Sequence, residues 1–265
     1  MDRVLAVASG KGGVGKSTVA ANLAVAMANY DISGRGPLKV ALVDVDFYGP
    51  SIPTLMGGGE IKPDHEGKII PALKHGVKYI SISFFLKNPD DPVVWRGPMF
   101  GKAIAQLFQD VRWGDVDICI VDMPPGTGDA QLSLSQLMSI DGALMVTTPQ
   151  EVAVSDVRRA INMFRKVNVP VIGTVENMAG FVTPSGEKFD IFGSGGGEVL
   201  AEQYGLPMLG SIPIVIDIRQ GGDTGVPAAV DGESESGKHF IELARSTWAA
   251  LESQAGAQPQ LNVVN

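Results

Sequence analysis

Apolar residues come along this chain in short, nearly unbroken runs separated by longer stretches with a helical period. The runs at 4–8, 40–43, 79–82, 118–121, 143–146 and 171–175 lack the apolar–polar alternation of half-exposed strands. They read as strands covered on both faces. A last strand is expected at 208–212, and 17–29, 98–111, 129–138, 155–167, 197–204 and 238–252 carry the helical pattern. Strand alternating with helix predicts an α/β fold: a doubly wound, mostly parallel sheet with helices on both faces and its ligand at the C-terminal strand ends. No internal repeat or interdomain linker is visible, so 1–252 reads as a single domain and 253–265 as a flexible tail. Residues 31–37 form a Gly- and Pro-containing connection, and 57–78 is a polar insertion suited to a hairpin.

Composition narrows the function. The 265 residues are 45% hydrophobic and include 33 glycines, enough for a large core and many tight strand–helix turns. A net charge of −8 argues against a nucleic-acid surface, which needs clustered Lys and Arg. No apolar run is long enough to span a membrane, and the chain enters a strand at Arg3 with no room for a signal peptide. The lone cysteine, Cys119, excludes an intrachain disulfide and points to a cytoplasmic protein.

The chemistry begins after the first strand, at Gly10-Lys11-Gly12-Gly13-Val14-Gly15-Lys16-Ser17-Thr18. This stretch meets G-x-x-x-x-G-K-[ST] at every fixed position and lies between a strand and a helix, the context a phosphate loop requires. Glycines let backbone N–H groups turn toward phosphates, and the helix that follows points its positive end at them. Lys16 neutralises β/γ charge, and the Ser17 hydroxyl suits Mg²⁺. An ordinary phosphate loop has no need of a cation at Lys11.

Carboxylates close the second and fourth strands. Asp44 and Asp46, two residues apart, project to one side of a strand end and both approach the phosphates. Asp122 ends the run 118–121 and suits magnesium held through water. The Pro- and Gly-rich loop after it suits a γ-phosphate sensor. Asp129 reads either as part of that sensor or as the N-cap of the next helix. Asn177, at the end of strand 171–175, offers the donor–acceptor pair that matches adenine, and no guanine-reading Asn-Lys-x-Asp appears.

Lys-Gly-Gly-Val-Gly-Lys-Ser-Thr resembles the deviant Walker A loop of the MinD, ParA, nitrogenase iron protein and arsenical-pump ATPases. That resemblance implies an ATP-hydrolysing homodimer in which Lys11 reaches the partner's nucleotide, Asp46 orients attacking water and Asp44 helps organise magnesium. It also implies that Asn177 reads the base and Pro213 lines the adenine pocket. Longer stretches, 44–53, 95–99, 122–129, 148–153, 175–178 and 190–193, resemble the Mrp/ApbC iron–sulfur cluster carriers. Those carriers imply a role in cluster assembly or transfer to apo-protein clients. They place a Cys-x-x-Cys pair between the last two stretches, and two such pairs hold a bridging [4Fe–4S] cluster. Here the segment reads Phe181-Val182-Thr183-Pro184-Ser185-Gly186-Glu187, without cysteine, and hydroxyls do not replace soft thiolates.

A second reading is an ATP-gated scaffold that docks a protein partner and carries no cluster. The tail from Gln258 has no charged side chain and does not form the basic amphipathic helix of a MinD-like membrane anchor. Phe84, Phe85, Leu86, Trp95, Met99 and Phe100 flank an Asp90-Asp91-Pro92 turn and read as core or as a partner patch.

Overall fold

A computed structural model describes residues 1–86, 97–183 and 185–257. The Asp90-Asp91-Pro92 turn, Trp95 and the chain beyond 257 lie outside the described residues, as do the side chains of Met99, Phe100 and Asp129. The first half runs β1 (Arg3–Ser9), α1 (Lys16–Asn29), β2 (Val40–Asp44), the single-turn α2 (Ile52–Leu55), β3 (Lys62–Pro63), β4 (Ile69–Ile70), β5 (Ala72–Lys74), β6 (Val77–Ser81) and α3 (Gly97–Gln109). The second runs β7 (Ile118–Asp122), α4 (Asp129–Leu137), β8 (Gly142–Thr147), α5 (Glu151–Lys166), β9 (Val171–Val182), β10 (Lys188–Phe189), α6 (Gly196–Tyr204), β11 (Met208–Ile214), α7 (Ile216–Thr224) and α8 (Glu235–Ala257).

The main sheet has the order β10-β9-β8-β1-β7-β2-β6-β5, and β11 also pairs with β9. All pairings from β9 across to β6 are parallel; only β5 and β10 run antiparallel to their neighbours. Alternate residues of each central strand enter opposite cores. Leu5, Val7, Leu42, Ile118 and Ile120 pack toward α1 and α8, whereas Ala6, Ala8, Val43, Cys119 and Val121 pack toward α3, α4, α5 and α6. This two-sided burial is why the strands read as continuous apolar runs. Register sets the chemistry, because Val7 and Asp44 both lie opposite Asp122, and Asp44 lies opposite Ser81. Three strand ends therefore meet at one place on the C-terminal edge.

Departures from expectation have local causes. The insertion 57–78 does contain a hairpin, β3 against β4, but its last part is β5 folded antiparallel onto β6. Arg112 holds that hairpin through Asp64 and Glu66. Helix α5 starts four residues early, at Glu151, directly after Pro149-Gln150, with an acidic side chain in its first turn. Helix α7 was not foreseen, because Gly221 and Gly222 lower its intrinsic propensity. Strand β9 is much longer than 171–175. It survives a bulge at Met178 (φ 59°) and Gly180 (φ 82°), across which its register with β11 steps from Asn177–Ile212 to Phe181–Ile214. Helix α8 runs on to Ala257, past the expected end at 252.

Candidate nucleotide site

The phosphate loop joins β1 to α1 where the sheet is most deeply covered. Gly15 precedes α1 with φ 80°, and no side chain caps the helix, so its first N–H groups face the loop. A Cβ on Gly15 would lie 2.2 Å from Asn177 Nδ2, and one on Gly10 would lie 2.1 Å from the Asp156 carbonyl carbon. Neither position has room for a side chain. Gly12 and Gly13 are exposed with open space around them, which leaves their N–H groups free for a ligand. Ser9 Oγ donates to the Lys11 carbonyl at 2.9 Å and fixes the loop's first turn.

Lys16 is the electrostatic centre. Its Nζ donates to Asp122 Oδ1 at 2.5 Å and lies 3.3 Å from Ser17 Oγ and 3.6 Å from Asp46 Oδ2. Burial depresses the ammonium, but the charges of Asp122 and Asp46 outweigh it and hold the pKa above the usual lysine value. Asp122 is fully buried, and burial drives its carboxyl upward against hydrogen bonds from Lys16 and Ser17. Its Oδ2 has no partner. Asp46 caps its own loop, with Oδ1 accepting from the N–H groups of Tyr48 and Gly49 at 3.2 and 3.3 Å.

Asp44 stands apart from the phosphate cavity. Its Oδ1 accepts from Asp46 N at 3.1 Å, and its Oδ2 accepts from Ser81 Oγ at 2.9 Å and Ile52 N at 3.3 Å. Burial first, and the charge of Asp122 second, push its carboxyl up to about 8. Its contacts are to the loop that carries Asp46 rather than to open space, and sequence gave no sign of its partner Ser81.

Two adjoining cavities occupy this edge. One, of about 410 Å³, is walled by Lys11, Gly13, Lys16, Ser17, Asp46 and Pro125, among others. The second, of about 460 Å³, is walled by Asn177, Met178, Phe192, Pro213, Ile218 and Arg219, among others. Gly15, Thr18 and Ser51 border both. Asn177 Nδ2 also donates to the Val14 carbonyl at 2.9 Å, tying the second cavity to the loop. The structure thus brings the residues at 10–18, Asp46 and Asp122 together and sets Asn177 and Pro213 beside them. Ser9, Tyr48, Met178 and Phe192 line the cavities without having been foreseen. The first cavity joins glycine-loop N–H groups and Lys16 to a positive helix end, and the second sets Asn177 and Arg219 among apolar residues, chemistry that suits an anion beside a ring.

The region where the resembling carriers place thiolates is the turn between β9 and β10. Thr183 N donates to Glu187 O at 2.9 Å, and Thr183 Oγ1 and Ser185 Oγ are 2.8 Å apart. Thr183 is half-buried and Ser185 exposed, and their hydroxyls are occupied with one another and with Glu187 N. Cys119 lies fully buried in β7, and burial pushes its thiol up to about 12. Among the described residues no group of three or more His, Cys, Asp or Glu is disposed to hold a metal, and no helix is long and apolar enough to cross a membrane.

Sheet order, phosphate loop and carboxylate-tipped strands define a P-loop NTPase of the MinD/ParA type. Solved structures agree. A nucleotide-binding protein of Archaeoglobus fulgidus in complex with ADP is 38% identical, with a TM-score of 0.76 over 90% of this chain and 92% of that one. The septum site-determining protein MinD of Pyrococcus horikoshii with Mg-ADP has a TM-score of 0.68 over 96% of this chain and 99% of that one. At 23% identity it bears on the fold alone. The model of the ParA group described as NUBPL iron-transfer P-loop NTPase matches residues 1–248, and the chain belongs to that family. An iron-sulfur cluster carrier protein of Aquifex aeolicus is 47% identical over 95% of this chain and 68% of its own length. The iron-sulfur cluster transfer protein NUBPL of Dictyostelium discoideum is 42% identical over 94% of this chain and 76% of its own.

Asp44 gives a pH prediction. A carboxyl whose folded pKa is raised contributes stability that is full below the ordinary value of 3.8 and is lost as pH rises through about 8. Nucleotide-free wild-type protein is expected to lose stability relative to Asp44→Asn across that window and to run parallel to it above. Urea unfolding at pH 5 and pH 8 measures this, and an unchanged difference would mean that Asp44 stays charged throughout.

Proposed function

We propose that the chain is a Mg²⁺-dependent ATPase that works as a homodimer in iron–sulfur cluster assembly or transfer. The observation that carries this reading is Lys16 poised between Asp122 and Asp46 at the mouth of a loop whose neighbouring cavity presents Asn177. Lys16 exchanges its carboxylate contacts for β- and γ-phosphate oxygens, and the loop N–H groups hold the same charge from the other side. The residues present fit magnesium. Ser17 Oγ and the unpartnered Oδ2 of Asp122 are hard oxygen donors, and a cation there relieves a buried carboxylate. When bound, the ion neutralises phosphate charge and fixes the β/γ geometry. Asp46 accepts a proton or hydrogen bond from the attacking water, and Asp44 positions it by holding its backbone. Asn177 and Pro213 favour adenine.

Lys11 acts in trans. Its side chain is half-buried beside the phosphate cavity and makes no hydrogen bond or ion pair among the described residues. An unneutralised cation at the rim suits the phosphates of a facing subunit, where transition-state charge spreads. Exposed Val182, Phe189 and Ile191 on the β9–β10 hairpin offer apolar surface to that subunit or to a client apo-protein. The buried, protonated Cys119 suits a reducing compartment such as the cytoplasm.

The residues do not fit a cluster held by this chain alone. A [4Fe–4S] cargo needs four soft ligands, and a dimer has two cysteines, both inside β7. The cargo's thiolates come instead from a client or from small thiols, which keeps the scaffold reading as the second.

Three outcomes test these roles. Lys16→Ala removes two charge-assisted hydrogen bonds, about 3 kcal/mol, and is expected to weaken MgATP binding about a hundredfold by calorimetry. Near-unchanged affinity would remove the basis of the phosphate assignment. Lys11→Ala is expected to leave ADP affinity intact while turnover falls by about a hundredfold or more. In mixed dimers the defect should appear at the wild-type subunit's site; a defect at the mutant's own site contradicts action in trans. Anaerobic reconstitution of the purified protein with iron and sulfide is expected to leave no stable cluster. About four irons per dimer, with matching sulfide, would refute this.

A further inference from the structure

Buried side-chain polar atoms without a hydrogen-bond partner fall in two places among the described residues. Ser236, Thr247 and Trp248 belong to α8. The others flank one loop: Asp122 Oδ2 at the end of β7, and both amide atoms of Gln131, the third residue of α4. Magnesium accounts for the first of these under the reading above. Gln131 is 1% exposed and has neither its donor nor its acceptor used. It shares the buried face of α4 with Leu134 and Ser135, and the Ser135 hydroxyl bonds the Gln131 carbonyl rather than its amide. Each such orphan costs about 1–3 kcal/mol, so an apolar side chain of the same size would suit this packing better.

Local features make the start of α4 easy to move. It is nine residues long, its N-cap is Gly128, and no side chain caps it. The loop ahead of it is tethered at Met123 N to Val7 O and at Gly126 N to Ser9 O, both 3.0 Å. Pro125, in that loop, walls the phosphate cavity. Pro125 and Gly126 thus lie between the phosphate cavity and the turn that holds Gln131. The arrangement seen here wastes two hydrogen-bonding groups, and one that uses them is favoured by that margin once the loop shifts.

We infer that Gln131 is a positioning residue of the ATPase cycle: its buried amide gains hydrogen-bond partners when the loop at 123–128 closes on the γ-phosphate, stabilising the closed arrangement of α4 relative to the one described. This rests on the ATPase reading and adds a residue that reaches the phosphate only through the loop.

The test uses the full chain with Gln131→Leu and Gln131→Met, which keep volume and delete the amide. Without nucleotide, both variants are expected to melt about 3 °C higher than wild type, because the orphans are gone. ADP affinity should stay within twofold, while kcat for MgATP falls about tenfold with little change in KM. Hydrogen exchange in the wild type should show α4 changing protection with a non-hydrolysable ATP analogue but not with ADP, and the variants should lose that change. A lower melting temperature in both variants overturns the inference, since the amide would then be structurally satisfied. A raised melting temperature with unaltered kcat and exchange overturns it as well. If wild-type protein binds the analogue but hydrolyses no ATP, the ATPase reading fails, and the exchange response of α4 alone decides for or against Gln131.

Discussion

One buried ion pair organises this molecule's functional edge. Lys16 opens α1, Asp122 closes β7, and the 2.5 Å contact between them joins the helix that covers one sheet face to a central strand. Neither charge is tolerable alone at that depth, since removing one partner of such a pair leaves the other uncompensated at a cost of about 3–5 kcal/mol. The rest of the edge follows. Asp46 enters the same field at 3.6 Å, Asp44 is driven toward its protonated form by burial and by Asp122, and Oδ2 of Asp122 is buried without a partner. The site thus gathers three carboxylates around one buried ammonium, an excess of negative charge that burial makes costly.

Two routes of contact lead away from these carboxylates. One passes from Asp44 through its acceptor bonds to Asp46, Ile52 and Ser81, so the loop after β2 is pinned at both ends by one carboxylate. It continues into α2, which packs on α7, a wall of the second cavity. The other passes from Asp122 through the tethered loop to α4 and Gln131. Both begin at adjacent strand ends in register, Asp44 beside Asp122.

Sequence disclosed the parts of this machine governed by local rules. The phosphate loop was legible because Gly15 takes a positive φ and Gly10 lies against the α5 backbone, and the strands because two-sided burial excludes polar residues. Asp122 and Asp46 were legible as carboxylates ending apolar runs. Asp44 looked equivalent to Asp46 from its spacing, but its environment depends on Ser81, which only the β2–β6 register brings opposite. Helix α7 was hidden because tertiary packing against α2 and the turn at 228–230 overrides two glycines. The bulge at Met178 was hidden too: positive φ in a non-glycine residue leaves no trace in composition.

The hairpin after β9 shows how fold and cargo separate within a family. The strand pairing of Phe181 with Phe189 and Val182 with Lys188 is intact, and Thr183 closes the turn through its own hydroxyl and backbone. Among its described residues that turn's hydrogen bonds are made by hydroxyls and backbone, so its folding does not depend on a thiol. The nucleotide edge is the opposite case, because Lys16, Asp46, Asp122 and Asn177 are each held by a charge or hydrogen bond of a neighbour. A substitution in the hairpin turn therefore leaves the packing of the sheet untouched, whereas one at Lys16 or Asp122 unbalances a buried ion pair.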